Sequence, residues 1–213
     1  MIPPIATGAQ GQRLPDRPMD LLPAARAPEA GTPASPRAAC LEAARRAERV
    51  HGLPEGLMVA VALSESGLHA HALNIDGRAH FPEDAREARA LLASAGPGRS
   101  VMAGCVQVNA RVHARGANWP LDPVRSADWA GGLLRRWYLE TGSWITALAR
   151  WHGGSAAGAH RVLCRVRAKL EVAAPVSGLL REAASGCSSS ETARVRRSGA
   201  ALLEVAEAPP AAR

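Results

Sequence analysis

The sequence predicts a mostly helical, all-α protein, and three observations lead there. Hydrophobic residues make up 47% of the 213-residue chain, and much of that share is Ala, the strongest helix former. Residues that favour extended sheet are scarce, with one Tyr and one Phe beside five Trp. From Arg37 onward apolar residues recur at helical spacing, in blocks closed by Gly or Pro. A chain of this length can bury one core and still carry tails.

Residues 1–36 carry eight prolines among Ala and Gly and read as a flexible, disordered leader with no core to form. Residues 37–170 read as the folded domain. Its first helix runs from Ala38 to His51, with Cys40, Leu41, Ala44, Ala47 and Val50 on one face and Gly52 as the stop. A second helix starts at Pro54, a favoured first-turn residue, and reaches about Ser66 before Gly67. A third covers 82–94 and ends at Gly96-Pro97-Gly98. Residues 104–109 alternate instead, Val106 and Val108 against Gln107 and Asn109, which predicts a short extended stretch. Helices resume over 124–141, 143–152 and 155–170, with Gly142 as a break. Residues 171–213 read as a low-complexity, disordered tail with weak helices over 174–184 and 190–206.

The net charge of +7 sits in the central part, because residues 1–36 and 171–213 are each neutral while 37–170 hold 18 Lys+Arg against 11 Asp+Glu. A basic domain suits an anionic partner, although a solvated surface is the simpler reading. The arginines scatter over several helices rather than forming one stripe, which argues against a nucleic-acid partner. Four cysteines, Cys40, Cys105, Cys164 and Cys187, show no metal-binding spacing. An exported chain could join them in any of three full pairings, with Cys187 the weakest candidate because it lies in a Ser-rich tail. No segment approaches the roughly 18 apolar residues of a membrane span. Met1 to Arg17 shows no positive segment followed by an apolar run, so no signal peptide is read there.

The second helix carries the strongest chemical signal. Glu65 stands four residues beyond Val61 and seven beyond Met58, in line with the apolar stripe Leu57, Met58, Val61, Ala62. It also occupies the last helical turn, where the helix dipole disfavours an anion. Burial and dipole together favour the protonated carboxyl, as a glycosidase general acid requires. A Glu satisfied by a nearby Arg is the bland alternative. The amides of Gln107 and Asn109 can both donate to and accept from sugar hydroxyls. Trp151, at the end of a late helix, offers a flat ring to a sugar face. Trp144 shares its helix face and is read as core.

Four ordered motifs then carry a resemblance. Leu63-Ser64-Glu65-Ser66-Gly67, Ala72-Leu73-Asn74, Gly104-Cys105-Val106-Gln107-Val108-Asn109 and Ala149-Arg150-Trp151-His152-Gly153-Gly154 resemble the SLT-domain lytic transglycosylases, in the branch that accompanies flagellar, conjugative and secretion machines. The resemblance spans about residues 38–170. It implies a goose-lysozyme-like fold, peptidoglycan glycan strands as substrate, a periplasmic or cell-envelope location, and a secretion or flagellar assembly as a further partner. It implies Glu65 as the catalytic acid and base, with Ser66, Asn74, Gln107, Asn109 and Trp151 binding substrate. Neither metal nor organic cofactor is required. Three positions depart from the family pattern: Asn74 stands where Ser is frequent, Val106 where Met is usual, and Trp151 where Tyr is usual. The competing readings are a water-using muramidase with Asp76 as helper, and a glycan-binding accessory protein without catalysis.

Overall fold

The computed structural model describes residues 35–209, so the expected leader lies outside the described residues except for Ser35 and Pro36. Those two open helix α1 (Pro36–His51), with the Ser35 hydroxyl accepting the Ala38 N–H and Gly52 closing the helix in the left-handed region. Helix α2 (Leu57–Glu65) begins later than the sequence suggested, because residues 54–56 form a turn and Gly56 takes φ 78 at the cap position. No neighbouring side chain caps α2. The cap comes from α1, where the buried Glu48 carboxylate accepts the N–H groups of Gly56, Met58 and Val59 at 3.1, 2.8 and 3.0 Å. A negative group at a helix N-terminus meets both the orphan donors and the positive dipole end.

Every residue from Leu57 to Leu63 is buried. Helix α2 is therefore apolar on all sides, the mark of a central helix rather than of a one-faced one. The stripe inferred from spacing does not aim Glu65; what exposes it is its place at the end of α2, where the helix leaves the core. The core around α2 includes Met58, Val61, Leu134, Leu148 and Leu170.

The all-α expectation needs one addition. The structure is mostly helical, but it also holds a four-stranded antiparallel sheet in the order β2-β1-β3-β4, formed by β1 (Leu73–Ile75), β2 (Arg78–His80), β3 (Val101–Ala103) and β4 (Val108–Asn109). Helix α3 (Ala85–Ser94) covers it, with the Asp84 side chain as cap, and Ala88 joins Leu73, Ile75 and Val101 in a second small core. Strands of two or three residues give too little alternation to read from sequence. The extended stretch expected over 104–109 is instead a turn followed by β4, with Gly104 at φ 80 and Gln107 at φ 51. A side chain at Gly104 would collide with the Pro120 carbonyl oxygen, so glycine is needed there on both counts.

Helices α4 (Pro123–Thr141), α5 (Trp144–His152) and α6 (Ala156–Ala173) fall close to their expected limits. Gly142 takes φ 67 as the α4 stop. Trp144 is partly buried against the core and stacks on Tyr138 with ring centroids 4.2 Å apart.

The C-terminal region departs most from expectation. Residues beyond Leu170 do not form a separate tail: α6 continues to Ala173, and helix α7 (Ser189–Glu207) packs on α6, α1 and α2 through Val195, Leu202, Leu203 and Ala206. The described residues 35–209 fall in one compact unit, so the boundary expected at 170 lies inside it. Low complexity misled because α7 is polar over most of its surface and needs only a narrow apolar stripe. Cys187, read as the weakest candidate, bonds to Cys164, and Cys40 bonds to Cys105. No helix among the described residues is long and apolar enough to cross a membrane.

Candidate active site

Glu65 ends α2 at the meeting of two cavities. One, of about 490 Å³, lies toward α6 and α7; the other, of about 620 Å³, lies toward α4 and α5. Glu65 and Gln107 line both, so the two lobes form one groove with the carboxyl at its waist. Each lobe is of the size usual for a ligand site, roughly 300–1,000 Å³.

The Trp151 indole N–H donates to Glu65 Oε1 at 3.2 Å. Burial pushes the Glu65 carboxyl above the usual carboxylate range; the Trp151 N–H and the positive charge of Arg165 oppose that shift without reversing it. Trp151 belongs to a row of rings. Its centroid lies 5.9 Å from that of Trp129, which lies 5.6 Å from Trp119 and 4.9 Å from His113. Trp129, Trp137 and Trp151 make the wider lobe an aromatic-walled trough.

The turn that carries Gln107 is held from three sides. The Cys40–Cys105 disulfide ties it to α1, the Ser66 hydroxyl donates to the Cys105 carbonyl at 2.7 Å, and Gln107 Nε2 donates to the carbonyls of Ala72 and Gly104 at 3.2 and 3.0 Å. Both Gln107 partners are acceptors, so its amide nitrogen must face them and its carbonyl oxygen is left for the groove. Gln107 is a rigid acceptor beside Glu65.

The remaining expected residues divide. Ser66 borders the narrower lobe, but its hydroxyl is buried and also accepts the His69 N–H at 3.0 Å. With its proton and a lone pair committed to backbone, Ser66 braces the end of α2 against the Gln107 turn. Asn74 lines the same lobe, its carbonyl oxygen accepting the Gly77 N–H of the β1–β2 turn at 2.9 Å. Asn109 lines the wider lobe and caps the π-helical turn Ala110–Ala114, accepting from Arg111 and Val112. Asn109 keeps only its NH₂ for a ligand, and Asn74 keeps its NH₂ and one lone pair, less than the capacity the sequence suggested. Asp76 lines neither lobe: Arg99 binds it at 2.6 Å and the Ser100 N–H at 2.8 Å, and the Arg99 hydrogen bond holds its carboxyl below the usual range.

Sequence reasoning missed Trp129, Trp137, Arg165 and Lys169. The first two sit on one face of α4 with Leu133 and Arg136, an i, i+4, i+7, i+8 row that spacing could have revealed. The last two are an i, i+4 pair on α6 whose meaning depends on α7. No protein-family model, curated protein or solved structure matches the chain.

Proposed function

We propose that this chain is a peptidoglycan lytic transglycosylase with a lysozyme-like catalytic domain, acting in the cell envelope through Glu65. The observation that carries the reading is a single carboxyl at the waist of a two-lobed groove, pushed above the usual carboxylate range by burial and with an N–H donor on one oxygen. Among the described residues lining the two lobes, the only other carboxylate is Glu191, which pairs with Arg194 at 3.6 Å. Most glycosidases need two carboxyl groups flanking the bond, so a one-carboxyl site favours a substrate that supplies its own nucleophile.

Glu65 protonates the oxygen linking N-acetylmuramic acid to N-acetylglucosamine, and that bond breaks. The N-acetyl group of the muramic residue steadies the positive charge at its anomeric carbon. Glu65, now a carboxylate, is stabilised by the Trp151 N–H and Arg165. It then takes the proton of the C6 hydroxyl, whose oxygen attacks the anomeric carbon and closes a 1,6-anhydro ring. Glu65 is again protonated, and no water is consumed. The Gln107 carbonyl accepts a donor of the bound sugar, and the Trp129–Trp151 trough takes sugar faces. Trp151 thus keeps a donor on the catalytic carboxyl where the family pattern has a Tyr hydroxyl.

The muramidase reading loses support because Asp76 is occupied by Arg99 and lies outside the groove. Purified protein incubated with peptidoglycan sacculi should release muropeptides lighter by one water than their hydrolysed counterparts, read by mass spectrometry. Glu65→Gln should abolish release with an unchanged circular dichroism spectrum. Robust release by that variant, or fully hydrated products from the wild type, would overturn the proposal.

A further inference from the structure

The narrower lobe is strongly cationic, and three of its four cations have no ion-pair partner among the described residues. Arg37 of α1, Arg165 and Lys169 of α6 and Arg194 of α7 line it, against Glu65 and Glu191. Arg194 pairs with Glu191, and burial pushes the Glu65 carboxyl above the usual carboxylate range. Arg37, Arg165 and Lys169 have no carboxylate at ion-pair distance among the described residues; Arg37 donates to the Gly67 carbonyl instead.

Lys169 is the telling member. It is the only lysine of the chain, only 5% exposed, and among the described residues its Nζ makes a single hydrogen bond, to Ser198 Oγ at 3.0 Å. An ammonium carries three donors, and burying one without a counter-ion is costly. The neighbouring helix is shaped for it: a Cβ at Gly199 would lie 2.7 Å from Lys169 Cδ and 3.2 Å from Nζ. The Cys164–Cys187 disulfide, formed one residue before Arg165, fixes the segment that leads into α7. A buried cation held open in a cavity, with Arg37 and Arg165 around it and neither paired with a carboxylate among the described residues, is a preorganised receptor for an anion. Burial also lowers its pKa to about 8, so an arriving negative charge would restore the full ammonium.

We propose that the lobe between α6 and α7 is a carboxylate-binding subsite, built on Lys169 and Arg165, that holds the acidic side group of a glycan strand beside the bond at Glu65. The identity of the strand rests on the glycan-cleaving reading. The carboxylate has two sources in such a strand, the lactyl group of muramic acid and the stem peptide attached to it.

A single lysine gives a single probe. Full-length Glu65→Gln protein, which places an uncharged amide at that position, is labelled with [¹³C]lysine and its one Cε signal followed by NMR through a pH titration. Three ligands are compared: an N-acetylmuramic acid disaccharide with a free lactyl carboxylate, the same disaccharide carrying a stem peptide, and uncharged diacetylchitobiose. A carboxylate-bearing ligand should shift the signal and raise the Lys169 midpoint by about one pH unit, and Lys169→Met, read by titration calorimetry, should bind that ligand about tenfold more weakly with diacetylchitobiose binding unchanged. Arg165→Gln, at an exposed position, should weaken the same ligands selectively. Response to only one of the two acidic ligands identifies the source. A Lys169 signal unmoved by both, or moved equally by diacetylchitobiose, overturns the subsite. If sacculi are cleaved by the wild type while that signal stays still, the subsite fails and the glycan-cleaving reading stands. If the acidic ligands titrate Lys169 while sacculi remain intact, the reading of the reaction fails and the subsite stands.

Discussion

Replacing Trp151 with Phe tests the chemistry of Glu65 without assuming a substrate. The substitution keeps an aromatic ring in the trough but removes the N–H that reaches Glu65 Oε1 at 3.2 Å. A hydrogen bond to an ionised group is worth about 1.5–3 kcal/mol, and one between neutral groups about 0.5–1.5 kcal/mol. At 3.2 Å the low end of each range applies, so the N–H favours the carboxylate over the acid by about 1 kcal/mol. At 1.36 kcal/mol per pH unit, its removal should raise the Glu65 midpoint by roughly 0.7 unit. The direction follows from losing a group that opposes the burial shift. Carboxyl ¹³C NMR on glutamate-labelled protein reads the midpoint directly, and the alkaline limb of glycan release should move upward with it. Trp129→Phe is the control, since its ring lies 5.9 Å from Trp151 and contributes packing only. A Glu65 midpoint that stays put or falls in Trp151→Phe, or rises equally in Trp129→Phe, refutes the reasoning.

The disulfides should matter through the lengths of chain they close. Loss of Cys164–Cys187, with a separation of 23, should cost about 3 kcal/mol, and loss of Cys40–Cys105, with a separation of 65, about 4 kcal/mol. Urea unfolding of the paired Cys→Ser variants reads both, and unchanged midpoints would mean the bridges do not form. Glu48→Ala strands three buried N–H groups at the start of α2 and should destabilise by about 3 kcal/mol, whereas a loss under about 1 kcal/mol would show that water replaces the carboxylate. His69 has a pKa lowered to about 4 by burial, with Arg37 and His71 adding to the shift. Its unfolded value is about 6.5, so the unfolded state binds the extra proton between these limits and stability falls as pH drops from about 6.5 toward 4. Chemical denaturation of wild type and His69→Gln should diverge across that window by on the order of 2 kcal/mol, and parallel curves would remove His69 from the acid response.

Local signals determined much of the molecule. The limits of α1, α4, α5 and α6 followed closely from glycine stops such as Gly52 and Gly142 and from apolar spacing, because these act within a few residues. The strange position of Glu65, a carboxyl at the wrong end of an apolar helix, was also visible in the sequence, as were Gln107 and Trp151 as its companions. Tertiary structure decided the rest. Whether Ser66 serves substrate or backbone depends on Cys105, 39 residues away, and the Asn74 and Asn109 amides were partly claimed by turns that pattern does not reveal. The cap of α2 comes from another helix, and the pairing of Cys187 turned an apparent tail into one wall of the groove. Capping and periodicity are interactions of neighbours along the chain. Burial, charge convergence and disulfide choice are set by which distant segments share a core, and for those the folded arrangement is the only source.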